Sequence, residues 1–135
     1  MKCVLEMLNV DMKVGDTVKI KGFIDPEADR FAINLGKDSE IALHFNPRFD
    51  DHADGRVIVC NSKEAGEWCT EQREEVFPFE KGEVFKLSIT FQGDKFEIKL
   101  SDDCFLEFPN RSWMDTITVL TVEGSVRVKA LKFDY

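Results

Sequence analysis

The chain has 135 residues, a size that suits one domain with a substantial hydrophobic core, and we expect a single domain over residues 1–135. Its 26 acidic and 18 basic residues give a net charge of −8. Binding to nucleic acid is therefore not expected, because neutralising phosphates takes a basic face. No apolar run approaches the length of a bilayer crossing, so membrane insertion is not expected either.

Short runs of alternating apolar and polar residues follow one another along the chain, and turn residues separate them. The runs cover residues 17–21, 31–35, 41–48, 56–61, 67–73, 84–91, 96–100, 104–108, 116–122 and 125–135. This spacing, about 8–12 residues between turn signals, is typical of an antiparallel sandwich. No stretch has a sustained helical period, and at most a short helical turn is expected near residues 112–115. The pattern predicts an all-β fold, an antiparallel β-sandwich of two sheets.

The run over residues 41–48 separates two kinds of side chain by the two-residue period of a strand. One face is expected to point into the core and carries Ile41, Leu43 and Phe45. The other face carries an imidazole, an amide and a guanidinium, from His44, Asn46 and Arg48. Such a set of fixed hydrogen-bonding groups on one open face predicts a polar recognition surface.

Further polar groups follow in the next two strand candidates. The run over residues 56–61 ends on Asn61, a turn is expected over residues 62–66, and Trp68, Glu71 and Arg73 come next. Strict alternation would place the Trp68 indole on the opposite face from Glu71 and Arg73. All three serve one pocket only if the strand breaks near residues 69–70.

These residues, in this order and at this spacing, resemble the signature of the galectins, the β-galactoside-binding lectins. The matching blocks are residues 44–48, then Val59 and Asn61, then Trp68, Glu71 and Arg73, with further similar blocks at residues 31–39, 76–79 and 108–111. The resemblance covers essentially the whole chain and is greatest to the prototype, single-domain class. It implies the galectin and legume-lectin type of jelly-roll sandwich.

The resemblance also implies a carbohydrate-binding site. Its seven residues would be His44, Asn46, Arg48, Asn61, Trp68, Glu71 and Arg73. In that site His44, Asn46 and Arg48 would contact the galactose 4-hydroxyl, and Asn61 would help to hold the 6-hydroxyl. The axial 4-hydroxyl leaves one ring face free of hydroxyls, and Trp68 would be the flat wall for that face.

The remaining members of the site would reach the second sugar. The resemblance implies that Glu71 also holds the 6-hydroxyl, and that Arg48, Glu71 and Arg73 contact the 3-hydroxyl of the following glucose or N-acetylglucosamine. His52 and Asp54, in an acidic loop over residues 49–55, are candidates for secondary sugar contacts. That loop lacks the spacing of an EF-hand calcium site, and the family it resembles uses neither metal nor cofactor.

The two ends of the chain predict a partner. In the last run one face would carry Val126, Val128 and Ala130, and the other face would carry Leu131, Phe133 and Tyr135. The first residues are also apolar on both faces, at Val4, Leu5, Met7 and Leu8. Prototype galectins pair through these terminal strands, so a twofold homodimer is expected. The alternative is a monomer with two ordinary edge strands.

The cysteines and the amino-terminal residues indicate in which compartment the protein is expected. The four cysteines are Cys3, Cys60, Cys69 and Cys104; none forms a C-x-x-C pair, so reduced thiols and no structural zinc are expected. Cys69 occupies a position that is usually glycine in the galectins. Residues 1–7 lack the apolar core of a signal peptide, so the protein is expected in the cytoplasm and, by a route without a signal peptide, outside the cell.

Two other functions remain open from the sequence. A glycosidase normally needs two carboxyl groups flanking the scissile bond, one of them protonated. Glu71 would have two arginines beside it, which favour its ionised form, and Asp54 would lie in a loop at the far end of the pocket. An enzyme is therefore not expected. The second alternative is a structural protein of galectin fold that no longer binds sugar, although all seven site residues are present.

Overall fold

The computed structural model describes every residue from Met1 to Tyr135. Its strands are β1 (Cys3–Met7), β2 (Met12–Lys13), β3 (Thr17–Ile24), β4 (Phe31–Lys37), β5 (Glu40–Asp51), β6 (Gly55–Glu64), β7 (Glu67–Trp68), β8 (Gln72–Glu74), β9 (Val84–Phe91), β10 (Lys95–Ser101), β11 (Cys104–Pro109), β12 (Thr116–Ile117), β13 (Val119–Gly124) and β14 (Val126–Asp134). None of its segments is a helix with the length and apolarity that a bilayer crossing takes.

Two antiparallel sheets form the body of the molecule. The seven-stranded sheet has the order β1-β13-β4-β5-β6-β7, with β8 also pairing with β6, and the five-stranded sheet has the order β11-β10-β9-β3-β14. A small third pair joins β12 to β2. The prediction of an all-β antiparallel sandwich is confirmed.

Phenylalanine rings fill the space between the two sheets. Phe31 on β4 stacks on Phe85 of β9 with ring centroids 5.1 Å apart, which joins the two sheets directly. Phe79, from the segment between β8 and β9, packs edge-on against both rings at 5.4 and 5.6 Å. Burying each ring contributes about 1.5–3 kcal/mol, so these inward faces supply much of the stability of the sandwich.

The predicted turns and run ends agree with the structure in most places. The Gln92 amide donates to the Lys95 carbonyl across the two-residue turn, and Gly93 has a φ of +92° that suits glycine. The prediction of one run over residues 116–122 is wrong, because β12 ends at Ile117 and pairs with β2 before β13 begins. Residues 111–112 form a turn, and no helical turn follows them.

A β-bulge at Ala42 changes which face the start of β5 presents. Leu35 lies opposite Leu43, but its neighbour Gly36 lies opposite Ile41, so Ala42 is the extra residue. Ile41 therefore faces outward with Gly36, and its predicted place in the core is wrong. Gly36 suits the site, because a Cβ there would meet the carbonyl oxygen of Glu40.

A second bulge corrects the prediction for the last strand. On β14, Val128 lies opposite Gly22 and Ala130 lies opposite Lys21, so Lys129 is the extra residue. The apolar side chains on either side of it, Val126, Val128, Leu131 and Phe133, therefore all face the core. The prediction of two apolar faces for this strand is wrong.

The edges of the two sheets meet at one side of the sandwich. β1 is the outer strand of the seven-stranded sheet, β14 is the outer strand of the five-stranded sheet, and the two contact each other. Val4 and Leu8 are exposed at this side. One continuous two-layered edge, with unpaired backbone groups in both layers, is therefore open to a partner.

Candidate carbohydrate-binding site

The outer face of the seven-stranded sheet carries an open groove of about 540 Å³. Six of the seven predicted site residues line it: His44, Asn46, Arg48, Asn61, Trp68 and Glu71. The seventh, Arg73, pairs with the outer side of Glu71. The structure therefore brings the whole predicted set together on one face.

The strand break predicted near residues 69–70 is present, and it aligns the indole with the charged residues. Trp68 lies opposite Lys63 and Arg73 lies opposite Val59, so one more residue separates the members of β7 and β8 than separates their partners on β6. This extra residue puts Trp68 and Arg73 on the same face. The turn expected over residues 62–66 is shorter, because β6 continues to Glu64.

Backbone hydrogen bonds hold the broken segment in place. The Cys69 amide donates to the Ser62 carbonyl at 2.9 Å, and the Asn61 side-chain amide donates to the Cys69 carbonyl at 2.9 Å. The Asn61 Oδ1 atom accepts from the Ser62 amide at 2.8 Å. Position 69 thus contributes through its backbone, so the Cys69 side chain does not disturb this geometry.

Arg111 is a supporting residue to which the sequence analysis gave no role. Its guanidinium donates to the Thr70 carbonyl at 2.7 Å and lies 4.6 Å above the Phe108 ring. It also contacts Asn61 Oδ1 at 3.4 Å. The only signal in the sequence was that Arg111 is the last residue of a block, residues 108–111, that is similar to a galectin block. Nothing in the sequence indicates that this residue contacts residue 70.

Trp68 forms one wall of the groove. Its side chain is 48% exposed, on a short strand at the edge of the sheet. Its ring centroid is 4.6 Å from that of His44, and the Lys63 ammonium lies 5.1 Å from the indole. The indole is therefore fixed on one side while its free side faces the groove.

The hydrogen-bond partners of His44 define its tautomer. Nδ1 lies against the side-chain oxygen of Asn34, whose amide nitrogen donates to Thr121 at 3.0 Å and to Glu123 at 3.3 Å. The Asn34 oxygen must therefore accept, so His44 carries its proton on Nδ1 and leaves Nε2 as an acceptor. Burial, with help from the Arg48 guanidinium, lowers the pKa of His44 from 6.5 to about 4.

Asn46 joins the floor of the groove to Arg48. Its amide nitrogen donates to the Phe31 carbonyl at 2.8 Å, and its side-chain oxygen accepts from Arg48 Nε at 2.9 Å. The side chain is only 1% exposed. Asn46 therefore orients the guanidinium from below and holds an amide at the bottom of the groove.

Two arginines and three carboxylates form one charged network at the end of the groove. Arg48 contacts Asp51 at 3.0 Å and Glu71 at 3.6 Å. Arg73 contacts Glu71 at 3.0 Å, Asp51 at 3.0 Å and Asp54 at 2.8 Å. Each guanidinium fork is held by more than one carboxylate, so both are oriented without a ligand.

Asp51 is central to this network and was absent from the sequence predictions. Between Arg48 and Asp51 the ladder with β6 shifts by one residue, which turns Asp51 toward the face that carries Arg48. Strict alternation from Arg48 would have chosen Asp50. Hydrogen bonds from Arg48 and Arg73 hold the pKa of Asp51 well below its usual range. The loop expected over residues 49–55 is shorter, because β5 continues to Asp51.

The two candidates for secondary contacts differ in placement. Asp54 pairs with Arg73 in the charged network at the end of the groove, and it reaches the site through that arginine. His52 is exposed in the turn and does not line the groove. The acidic residues of this turn face arginines, and no three His, Cys, Asp or Glu side chains are placed to hold a metal ion.

The four cysteines lie apart as free thiols. Cys60 is fully buried, and burial raises the pKa of its thiol to about 12. Cys69 is half-buried and lines the groove beside Trp68.

Comparisons with known proteins agree with this fold. The family model for galactoside-binding lectins matches residues 3–133. Galectin-1 of Sus scrofa is 44% identical over 135 residues, which cover 99% of this chain and all of the relative. CG-16, a homodimeric agglutinin from chicken liver, superposes with a TM-score of 0.91 at 44% identity, covering 96% of this chain and 98% of the other.

A ligand complex is among the similar solved structures. Toad ovary galectin in complex with thio-digalactose superposes with a TM-score of 0.92 at 40% identity, covering 99% of this chain and all of the other. The family model and the full-length relatives point to one family, which the residues of the groove had already suggested. The chain belongs to the galactoside-binding lectins, the galectins.

Proposed function

We propose that this protein is a metal-independent lectin that binds β-galactosides of the lactose and N-acetyllactosamine type and crosslinks glycoconjugates as a homodimer. The observation that carries the proposal is the groove itself. It combines one free indole face with an imidazole acceptor, a buried amide and two oriented guanidinium groups. A sugar ring offers the complementary surfaces, an apolar C–H face and hydroxyls that both donate and accept.

Galactose would sit against Trp68. Its axial 4-hydroxyl can donate to His44 Nε2 and accept from Arg48, above the Asn46 amide. Its hydroxyl-free face then lies on the indole, and its 6-hydroxyl extends toward Asn61 on β6. An equatorial 4-hydroxyl, as in glucose, would leave the buried polar groups without a partner, which is costly.

The second sugar would meet the charged network. Arg48, Glu71 and Arg73 are oriented by one another and by Asp51, so little ordering remains when the sugar arrives. Preorganisation of this kind raises affinity by reducing the entropy lost on binding. Asp54 would act through Arg73, and His52 would contribute only to a longer glycan.

Catalysis is not part of the proposal. Glycoside hydrolysis needs a protonated carboxylic acid beside the scissile bond. The carboxylates at the groove, Glu71, Asp51 and Asp54, all contact arginines, and hydrogen bonds from Arg48 and Arg73 hold the pKa of Asp51 well below its usual range. The family is one of lectins, and the site supports binding without bond cleavage.

A homodimer would make the protein a crosslinker. The exposed double edge of β1 and β14 could extend both sheets into a second copy about a twofold axis. CG-16, described as a homodimeric agglutinin, supports this arrangement. Two sites on one rigid body increase avidity for surfaces that carry many glycans, without any new contact at the site.

Retention on immobilised lactose tests the proposal. We expect the reduced protein to bind and to be eluted by lactose, but not by maltose or a metal chelator. Trp68→Ala should weaken binding by about tenfold or more, because a buried stacking surface of this kind is worth roughly 1–3 kcal/mol. Trp113→Ala, which removes an 83% exposed indole outside the groove, is the matched control.

Three results would contradict the proposal. Elution by the chelator would mean that a cation mediates binding, and release of free galactose from lactose would mean an enzyme. If the folded protein does not bind lactose, the result would favour the structural alternative, a galectin fold without sugar binding.

Arg73→Lys tests the preorganised network. Lysine cannot contact Glu71, Asp51 and Asp54 together, so we expect the affinity for lactose to fall by about tenfold. Arg56→Lys is the control, because Arg56 also pairs with a carboxylate, Glu80, but lies away from the groove. Isothermal titration measures both variants. Equal affinity in Arg73→Lys and the parent protein would exclude a role for the fork.

The protonation of His44 predicts a pH dependence. Its pKa of about 4 keeps Nε2 free to accept, so lactose affinity should be constant from pH 7.5 to 5 and fall as the pH drops through 4. Unfolded chains bind the proton near 6.5, so stability should also decline between pH 6.5 and 4, by up to about 3 kcal/mol. NMR of the His44 ring in His52→Gln gives the pKa directly; a value near 6.5 would contradict a ring that stays neutral down to pH 5.

The dimer edge is tested by Val4→Glu. A carboxylate on the exposed face of β1 should repel its symmetry mate and shift sedimentation toward the monomer of 15.5 kDa. Affinity for lactose per subunit should stay unchanged while agglutination is lost. Val84→Glu, which changes another exposed valine on the other sheet, is the control. A parent protein that sediments as a monomer at micromolar concentration would refute the dimer.

A further inference from the structure

The outer face of the five-stranded sheet carries a basic cleft, on the opposite side of the sandwich from the sugar groove. The cleft has a volume of about 390 Å³. Five lysines line it: Lys19, Lys21, Lys86, Lys99 and Lys132. All five are exposed, in a chain whose net charge is −8. A local concentration of positive charge on an acidic protein indicates an anionic ligand.

Small residues create the cleft. Ser88, Ser101 and Ala130 lie among the lysines, so the long side chains stand around short ones. Lysine side chains commonly lay their methylene stems on such a surface and keep the ammonium groups in water. The cleft thus offers an apolar surface, two hydroxyls and five positive charges, with one carboxylate, Asp102, beside Lys99.

Two pairs of lysines lie directly opposite each other in the sheet. Lys19 faces Lys132 across β3 and β14, and Lys21 faces Lys86 across β3 and β9. Like charges in directly opposed positions destabilise a sheet. Asp134 relieves the first pair, since its carboxylate lies 3.1 Å from Lys19 and 3.6 Å from Lys132.

The second pair has no such relief. Lys99 lies 3.9 Å from Asp102, but neither Lys21 nor Lys86 has a carboxylate within 4.0 Å. The sheet therefore contains one lysine pair that is bridged by a carboxylate of the protein, Asp134, and an adjacent lysine pair that can accept an anionic group from a ligand. Both lysines of the open pair lie on interior strands, away from the edges of the sheet.

We propose that this cleft binds a chain of a sulfated polysaccharide, with one sulfate group between Lys21 and Lys86 as the Asp134 carboxylate lies between Lys19 and Lys132. Neighbouring strands are about 4.8 Å apart, so lysines on β10, β9, β3 and β14 spread over roughly 14 Å. That distance suits several charges along a linear chain better than one small ion.

The lining of the cleft favours sulfated sugar over other polyanions. Neither arginine nor an aromatic side chain lines it, so it lacks the fork and the stacking platform with which proteins hold nucleic acids. An acidic peptide would gain affinity by adding a strand, but β3 and β9 already pair on both sides. Lysine point charges suit compact sulfate groups, while Ser88 and Ser101 can bond sugar hydroxyls.

Binding to immobilised heparin, first without lactose and then with saturating lactose, tests the inference. We expect retention at low ionic strength that weakens with salt, because each contact releases a counterion. Lys21→Gln/Lys86→Gln should weaken binding about tenfold and reduce the slope of log affinity against log salt by about two. Lys37→Gln/Lys81→Gln removes two exposed lysines outside the cleft and should leave the slope nearly unchanged.

Folding is checked separately from the charge effect. Removing an opposed lysine pair should not lower the melting temperature, and both double variants should keep the parent affinity for lactose. If Lys21→Gln/Lys86→Gln does not fold, single Lys86→Gln should reduce the slope by about one.

Four results would overturn the inference. These are no retention of the parent protein on heparin at low salt, release by lactose, an equal loss in the two double variants, and equal binding to polyglutamate or unsulfated dextran. Equal binding to polyglutamate would assign the cleft to an acidic peptide instead. Release by lactose would place heparin in the sugar groove.

Discussion

The ladder of β5 with its two neighbours is the interaction on which the polar face depends. Regular pairing with β4 and β6 places His44, Asn46 and Arg48 outward, and a shift between Arg48 and Asp51 turns the carboxylate of Asp51 to the same face; the extra residue at Ala42 reverses only the preceding residue, Ile41. Between these two irregularities the strand alternates normally. On the inward side of the same stretch, Leu43 and Phe45 are buried in the core. The same strand register therefore determines both the polar site and the packing of the core.

The groove is ordered by partners that lie outside it. Asn34 orients the imidazole, Asp51 holds two guanidinium groups, and Arg111 fixes the broken segment through the Thr70 carbonyl. These contacts leave no buried side-chain polar atom without a hydrogen-bond partner. A site built in this way is rigid before its ligand arrives, and its selectivity comes from groups that cannot move to accommodate the wrong hydroxyl.

The two-residue period of strands with one buried face predicted the sandwich and the shared face of His44, Asn46 and Arg48. The resemblance to the galectins, not the period, added Asn61, Trp68, Glu71 and Arg73 to the site. The period failed wherever a strand carried an extra residue. It placed Ile41 in the core, put Leu131 on the opposite face from Val126 and Val128, and gave Asp51 no part in the site. A bulge depends on how two strands pair with each other, and the residues around positions 42 and 129 carry no sequence signal for one. Asn34 and Arg111 were missed because their partners are remote in sequence.

The hydrogen bonds from His44 through Asn34 to Thr121 cross three adjacent strands, β5, β4 and β13. This chain has a direction: each member donates to the next, beginning with the ring nitrogen. The choice of hydroxyl at the imidazole therefore depends on all three residues, since the orientation of the Asn34 amide decides whether Nε2 of His44 accepts or donates. Removing both acceptors of the Asn34 amide, Thr121 and Glu123, would allow that amide to turn over and would reverse the polarity of the site while the seven predicted site residues stay the same.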